Sequence, residues 1–323
     1  MLVPFAIDSG ALVADPNFSD FDLLEAHESL LTAWKQIGLL VIDGDYASTS
    51  ALRLAIDAVP KGSVLHSRWR DFVLRAPTLV GGEKWRGVLN ELSAPALREL
   101  ARVCFTSSSK RTQYQGTFSD ANFELRSIWG VGGCRTFNRA IASSESHIRE
   151  GERVEEIWSN RFSALAAATA ESFKLVRIID RYIIGRHLNE SKGELTRFLK
   201  LLSATARKKK HVSVYTSRPI RDQLKWSDAE ITAQLRPMRE ELQNIASLTI
   251  QIVSNWDVRK SQKDRFVMFG DNYVWDLGHG LEPFEHATVQ SNCSASLKTW
   301  ESTNSYRKIL DGLTSPKQIR VWE

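Results

Sequence analysis

Residues 2–43 read LVPFAIDSGALVADPNFSDFDLLEAHESLLTAWKQIGLLVID, and their order decides the fold class. Leu2–Val13 is short and apolar and predicts a buried strand, interrupted by Asp8. The turn Asp15–Asp20 offers Ser19 or Asp20 as a helix cap. The helix that follows puts Leu23, Leu24, Ala26, Leu30, Leu31 and Trp34 on one side, and Gly38 ends it. Leu39–Asp43 predicts a second buried strand, followed by Gly44 and Asp45, and Ser48–Val59 predicts a helix stopped by Pro60. A β-α-β-α succession is the pattern of an α/β domain built on a parallel sheet.

Working outward, the next stretch is less regular. Ser63–Leu74 fits strand or helix, Ala94–Phe105 predicts a helix, and Thr106–Asp120 reads as an exposed polar segment. Trp129–Arg135 (WGVGGCR) predicts a turn, and the polar run Ser143–Glu152 predicts a linker, giving domains 1–145 and 146–323. Beyond it, Val154–Phe173 predicts a helix and Lys174–Gly185 a strand. An amphipathic helix follows from Glu194, ending in the basic run Arg207–Lys210, and His211–Ser217 alternates like a strand. Asp228–Leu248 predicts a long helix carrying Pro237, and Leu248–Ser254 a strand. Lys263–Gly278 predicts a hairpin turning at Gly270-Asp271-Asn272. The expectation is two layered α/β domains.

The 323 residues, 42% apolar and 25% charged, are ordinary globular values and long enough for two cores. No apolar run reaches the roughly 20 residues of a membrane helix. The start MLVPFAIDSG has no basic region before its apolar stretch, which argues against a secretory signal. The three cysteines, Cys104, Cys134 and Cys293, make no disulfide framework, so a cytoplasmic, reducing setting is expected. Residues 1–150 hold 16 Lys+Arg and 17 Asp+Glu, leaving 27 and 21 for residues 151–323. The surplus of base in the second half suits a phosphate-bearing partner, nucleic acid or anionic lipid. Ten tryptophans are expected mostly in the cores.

Asp8 and Asp43 each fall at the carboxyl end of a predicted parallel strand, where open α/β sheets place their sites, and Asp45 is two residues on. Such carboxylates could hold Mg²⁺ or Mn²⁺ and activate water for phosphodiester attack. The alternative is that Asp8 anchors a neighbouring loop and Asp43-Gly44-Asp45 is a turn. The stretch PFAIDSGAL resembles the opening of the PIN-type metal-dependent nucleases, a strand ending in Asp and a small residue. The resemblance implies a parallel sheet with Asp8, Asp43 and Asp45 as catalytic acids, and Asp8, Asp43 and Asp120 as metal ligands.

Three blocks further on, VRIIDRYIIG, HVSVYTS and KDRFVMFGDNYVWDLGHGLEPFEHA, resemble the phospholipase-D-like domain at the C-terminus of MIT-domain proteins. That resemblance implies a phospholipase-D-like α/β fold over about residues 155–295 and a phosphate-recognising surface. Phospholipase D chemistry needs H-x-K-x₄-D, with the His as nucleophile. Here Lys263 and Arg265 stand at the first two positions and Asp271 is one residue too far, so a non-hydrolytic binder is expected. Lys263, Arg265, Lys208, Lys209, Lys210 and His279 are the phosphate-binding candidates. Two functions from different classes follow. One is a divalent-metal nuclease acting on nucleic acid, with the domain pairing of bacterial conflict and defence systems and a possible protein partner there. The other is a non-enzymatic module that binds a protein, a lipid headgroup or a nucleic-acid backbone. Peripheral binding to anionic lipid ranks lower because no exposed amphipathic basic helix stands out.

Overall fold

The computed structural model describes residues 2–12, 19–42, 50–59, 63–80, 85, 94–118, 122–189, 193–217, 226–253, 265–313 and 317–323. Asp43, Asp45, Asp120 and Lys263 lie outside the described residues. The chain divides into two compact units, Met1–Ser143 with Ala168–Ala170, and Ser144–Ala167 with Glu171–Glu323. Each is α/β. Among the described residues, no helix is long and apolar enough to cross a membrane.

In the first unit the elements are β1 (Val3–Ile7), α1 (Asp20–Ile37), β2 (Gly38–Ile42), α2 (Ala51–Ala58), α3 (Val64–Arg75), β3 (Thr78–Val80), α4 (Ala94–Leu100), β4 (Val103–Thr106), α5 (Ser108–Phe118), β5 (Glu124–Ser127) and α6 (Arg135–Ser143). The described strands form a parallel sheet in the order β3-β2-β1-β4-β5. The chain therefore winds to one side of β1 and then to the other, and the reversal falls between β1 and β4. The opening strand is shorter than its apolar run: it ends at Ile7, and a 3₁₀ turn covers Ser9–Leu12. Ser19 caps α1 in a capping box with Asp22. Leu24 turns outward, while Ala26, Leu30, Leu31 and Trp34 are buried. Gly38 follows the last turn in an extended conformation, and only glycine fits there: a side chain would press on the Phe5 ring and the Trp34 backbone.

One expectation is made specific here and one corrected. The polar, largely exposed segment after β4 holds a helix, Ser108–Phe118, which Ser107 caps and Phe118 anchors in the core. The helix at Ala94 stops at Leu100, and Val103–Thr106 is a buried strand between β1 and β5. In the core Phe5 meets Trp34, Phe105 and Phe137 edge-to-face.

The second unit begins with α7 (Val154–Ile157) and α8 (Ser163–Ala167), joined by a π-helical turn at Trp158–Phe162. Then come β6 (Leu175–Asp180), α9 (Ile183–Asn189), α10 (Glu194–Thr205), β7 (Lys210–Ser217), α11 (Asp228–Leu235) and β8 (Ile245–Val253). Last are β9 (Arg265–Phe269), β10 (Tyr273–Leu277), β11 (Ala295–Thr299), α12 (Asn304–Gly312) and β12 (Lys317–Trp322). The described strands form a mixed sheet in the order β11-β10-β9-β6-β7-β8-β12, with β6, β7 and β8 parallel. The predicted long helix at Asp228 ends at Leu235. Pro237 opens a 3₁₀ turn, and β8 already starts at Ile245, because proline cannot continue an α-helix. Lys174–Gly185 also divides, strand to Asp180 and helix from Ile183. The predicted hairpin is present as β9 and β10, turning at Gly270.

Trp34, Trp69, Trp85 and Trp275 are fully buried, as their number suggested. One of these contacts has a pH consequence. Trp69 Nε1 donates to Nδ1 of buried His27 at 3.0 Å, which fixes the neutral tautomer with its proton on Nε2, an atom without a hydrogen-bond partner among the described residues. Burial pushes the His27 pKa down to about 4 from 6.5. The unfolded chain takes up that proton near pH 6.5 and the folded chain only near 4, so stability drains as pH falls between them, by about 3 kcal/mol in full. Urea unfolding of wild type and His27→Gln at pH 7 and 4.5 checks this. The wild type is expected to lose more stability than the variant; equal losses contradict the assignment.

Candidate functional site

In the first unit, Asp8 follows the last residue of β1, at the carboxyl edge beside the strand reversal, where open α/β sheets form their crevices. Its backbone N–H donates to Phe105 O at 2.8 Å, and its side chain is fully buried. A buried carboxylate must be hydrogen-bonded and neutralised. Thr106, the last residue of β4, donates its hydroxyl to Asp8 Oδ2 at 2.9 Å. Lys110 Nζ reaches both oxygens, at 3.2 Å (Oδ1) and 3.0 Å (Oδ2). Lys110 lies in the first turn of α5, where the helix dipole disfavours a cation, so its placement answers to Asp8.

Asp8, Thr106 and Lys110 by themselves do not make a divalent-cation site. A divalent cation would have to displace an ammonium held by both oxygens of Asp8. Among the described residues, no group of three His, Cys, Asp or Glu side chains is arranged to hold a metal. The catalytic acids and metal ligands expected with Asp8, namely Asp43, Asp45 and Asp120, are outside the described residues, so only Asp8 of that set is located. Lys110 is the residue that sequence reasoning missed. It lies 102 positions away, and nothing in SSSKR marks it as a partner of β1.

In the second unit the register places the candidates at two opposite edges of the sheet. At the carboxyl edge of β6, Asp180 pairs in register with Arg265, the first residue of β9. The turn that leaves β10, with His279 and Glu282, comes to the same edge. Asp180 is fully buried and meets Arg186 Nη2 at 2.8 Å, not the neighbouring Arg181. Arg186 also donates through Nε to Glu194 and through Nη1 to Glu282, each at 2.8 Å. A planar guanidinium can satisfy three carboxylates in fixed directions, which an ammonium cannot. Burial pushes the carboxyls of Asp180 and Glu194 above their usual range. Burial acts against the charge on Arg186 too, but the three carboxylates outweigh it and raise its pKa.

Arg265 has a longer contact with Glu282, 3.7 Å, and His279 reaches that carboxylate only at 4.0 Å. His279 is half exposed. Gly280, at φ +63°, lies so close that any side chain would overlap Asp180 Oδ2. Arg265 and His279 are thus brought together, and the glycine beside His279 serves the close approach of the turn to Asp180.

The lysine run belongs to the other edge. Lys208 and Lys209 precede β7, whose eight residues put them about 26 Å or more from its carboxyl end at roughly 3.3 Å per residue. Lys210 is corrected outright. It is buried, donates to Phe173 O at 3.0 Å, and has its pKa lowered to about 8 by burial, so it is a structural lysine rather than a phosphate ligand. Asp271 also sits at that far edge, paired with Arg177 at 2.9 Å, because β9 carries the chain away from Arg265. Arg265 and Asp271 therefore do not converge on one reacting centre. The three cysteines are free and buried, and burial raises each thiol pKa, so none is an activated nucleophile.

No family model and no curated protein matches the chain. Among solved structures it is similar to a phosphatidylserine synthase from Haemophilus influenzae Rd KW20, at 12% identity and a TM-score of 0.32. The match covers 59% of this chain and 47% of that one, so it spans less than half the length of that protein.

The Arg186 cluster carries a direct test. Arg186→Gln strands two buried carboxylates and is expected to cost roughly 3–5 kcal/mol at neutral pH. The loss should shrink at pH 5, where unpaired carboxylates take up protons. Urea midpoints for variant and wild type at both pH values measure it; a loss that is small or independent of pH contradicts the cluster's role.

Proposed function

We propose that this chain works by binding a phosphate-bearing partner, nucleic acid before lipid, and not by metal-dependent cleavage. The observation that carries the reading is the ammonium of Lys110 on both oxygens of Asp8. A nuclease centre of the kind the opening strand suggests needs that carboxylate free for a cation. Here the cation is part of the chain. The second unit supports the same reading. Arg186 is consumed by three carboxylates, whereas the ion pair of Arg265 at the same edge, with Glu282, is longer at 3.7 Å. The surplus of base in residues 151–323 adds the long-range attraction that a polyanion feels.

The runner-up is the metal-dependent nuclease. In its favour are the position of Asp8 at the strand reversal and the two acids, Asp43 and Asp45, that follow β2 in sequence. One assay separates the readings. Wild type, Asp8→Asn and Lys110→Ala are incubated with Mn²⁺ or Mg²⁺ and single- or double-stranded RNA and DNA, and retention of oligonucleotide is followed in parallel. The expected result is no cleavage by the wild type, with retention whose logarithm falls linearly with the logarithm of salt concentration. Cleavage by the wild type that is lost in a folded Asp8→Asn protein overturns the proposal.

A further inference from the structure

The carboxyl edge of β6 carries a feature that neither the Asp8 site nor the phosphate candidates include. Tyr182 is a large aromatic side chain left 45% exposed at the end of a buried strand. The Arg181 guanidinium lies 5.4 Å from its ring centroid, and the Arg265 guanidinium 5.3 Å. Two cations thus converge on one exposed ring, one from the turn after β6 and one from the first residue of β9.

The turn that presents the ring is tied down. Tyr182 N–H donates to Asp180 Oδ1 at 2.9 Å, and Asp180 is itself held by Arg186. The Arg181 carbonyl accepts from Thr216 Oγ1, Ser217 Oγ and the Ser217 N–H, at 3.0–3.2 Å. Four hydrogen bonds therefore fix the two residues between β6 and α9, of which Tyr182 is exposed. A backbone held in this way costs little further ordering when the turn meets a ligand. Among the described residues no carboxylate forms an ion pair with Arg181, and Asp180 is neutralised by Arg186. The guanidiniums keep donors for an anion.

We propose that Arg181, Tyr182 and Arg265 form a stacking platform for single-stranded nucleic acid. Both guanidiniums lie over the ring, so an unpaired base stacks against the exposed part of this ring-and-guanidinium layer, and the phosphates on either side take hydrogen bonds from the guanidinium N–H groups. The combination favours this ligand over others. A lipid headgroup or free phosphate would use the cations but gain nothing from the ring, and a duplex hides its base faces in the stack. A single strand offers an anionic backbone and a free π-face together, and stacking on an aromatic side chain tolerates any base. The platform deepens the binding function proposed above and rests on it.

Fluorescence anisotropy with a labelled 12-mer of poly-dT or poly-U tests the proposal on the full chain. The same sequence as duplex, and vesicles of phosphatidylcholine with phosphatidylserine, serve as competing ligands. Tyr182→Ala is expected to weaken single-strand binding about tenfold, and Tyr182→Phe to leave it within about twofold. Arg265→Gln should reduce the salt slope by about one. The exposed ring makes Tyr182→Ala safe for folding, and a matching urea midpoint confirms it. A wild type that binds the strand equally well after Tyr182→Ala overturns the platform and leaves the binding function standing. A wild type that ignores every oligonucleotide overturns both, as does preference for duplex or vesicles the platform alone.

Discussion

Each unit is organised around one buried carboxylate at the end of its first sheet strand. Asp8 and Asp180 are both fully buried. A carboxylate in that position is costly unless a cation and hydrogen bonds meet it. The two units meet the requirement with different chemistry. Lys110 arrives from the first turn of a helix beyond β4, and Thr106 adds a hydroxyl. Arg186 arrives from the helix immediately after β6 and recruits Glu194 and Glu282 into the same cluster. In both, the charge is balanced from within the chain. Each carboxylate thereby ties its strand end to a neighbouring helix of the same unit.

The sheet topology then decides which of the remaining polar residues can act together. In the second unit, β6 and β7 run parallel while β9 runs against them. Arg265, His279 and Tyr182 gather at one edge. Lys208, Lys209 and Asp271 belong to the other. Residues that look like one basic surface along the sequence are divided by the length of a strand, and the residue expected to strengthen that surface, Lys210, is folded inward onto a carbonyl. What is left at the carboxyl edge is a pinned, exposed aromatic ring with two guanidiniums, which is a surface suited to binding.

Much of this fold was legible because local physics agreed with the global arrangement. The capping box at Ser19, the apolar stripe of α1 and the hairpin at Gly270 are decided by residues a few positions apart. The rest was not legible for a common reason. Ser108–Phe118 lacks a strong apolar stripe and is a helix through its cap and its single anchor. Ala94–Phe105 merges a helix with a strand because both are apolar, and Pro237 was allowed inside a helix that it ends. At the sites, Asp8 stood out as a lone charge in an apolar run. Its partner did not, since pairing across 102 positions is set by the packing of β4 against β1 and leaves no periodicity to read. Arg186, six positions from Asp180, lay within reach of a helical reading, but the segment was read as continuous strand.

The central claim is that the cation at Asp8 is Lys110. Titration of the wild type with Mn²⁺ followed by electron paramagnetic resonance tests it most directly, because the signal of free Mn²⁺ falls as the ion is bound and needs no substrate. The account predicts no stoichiometric site below millimolar concentration, and no difference between wild type and a folded Asp8→Asn protein. One equivalent of Mn²⁺ bound at micromolar concentration by the wild type, and lost in Asp8→Asn, would contradict it.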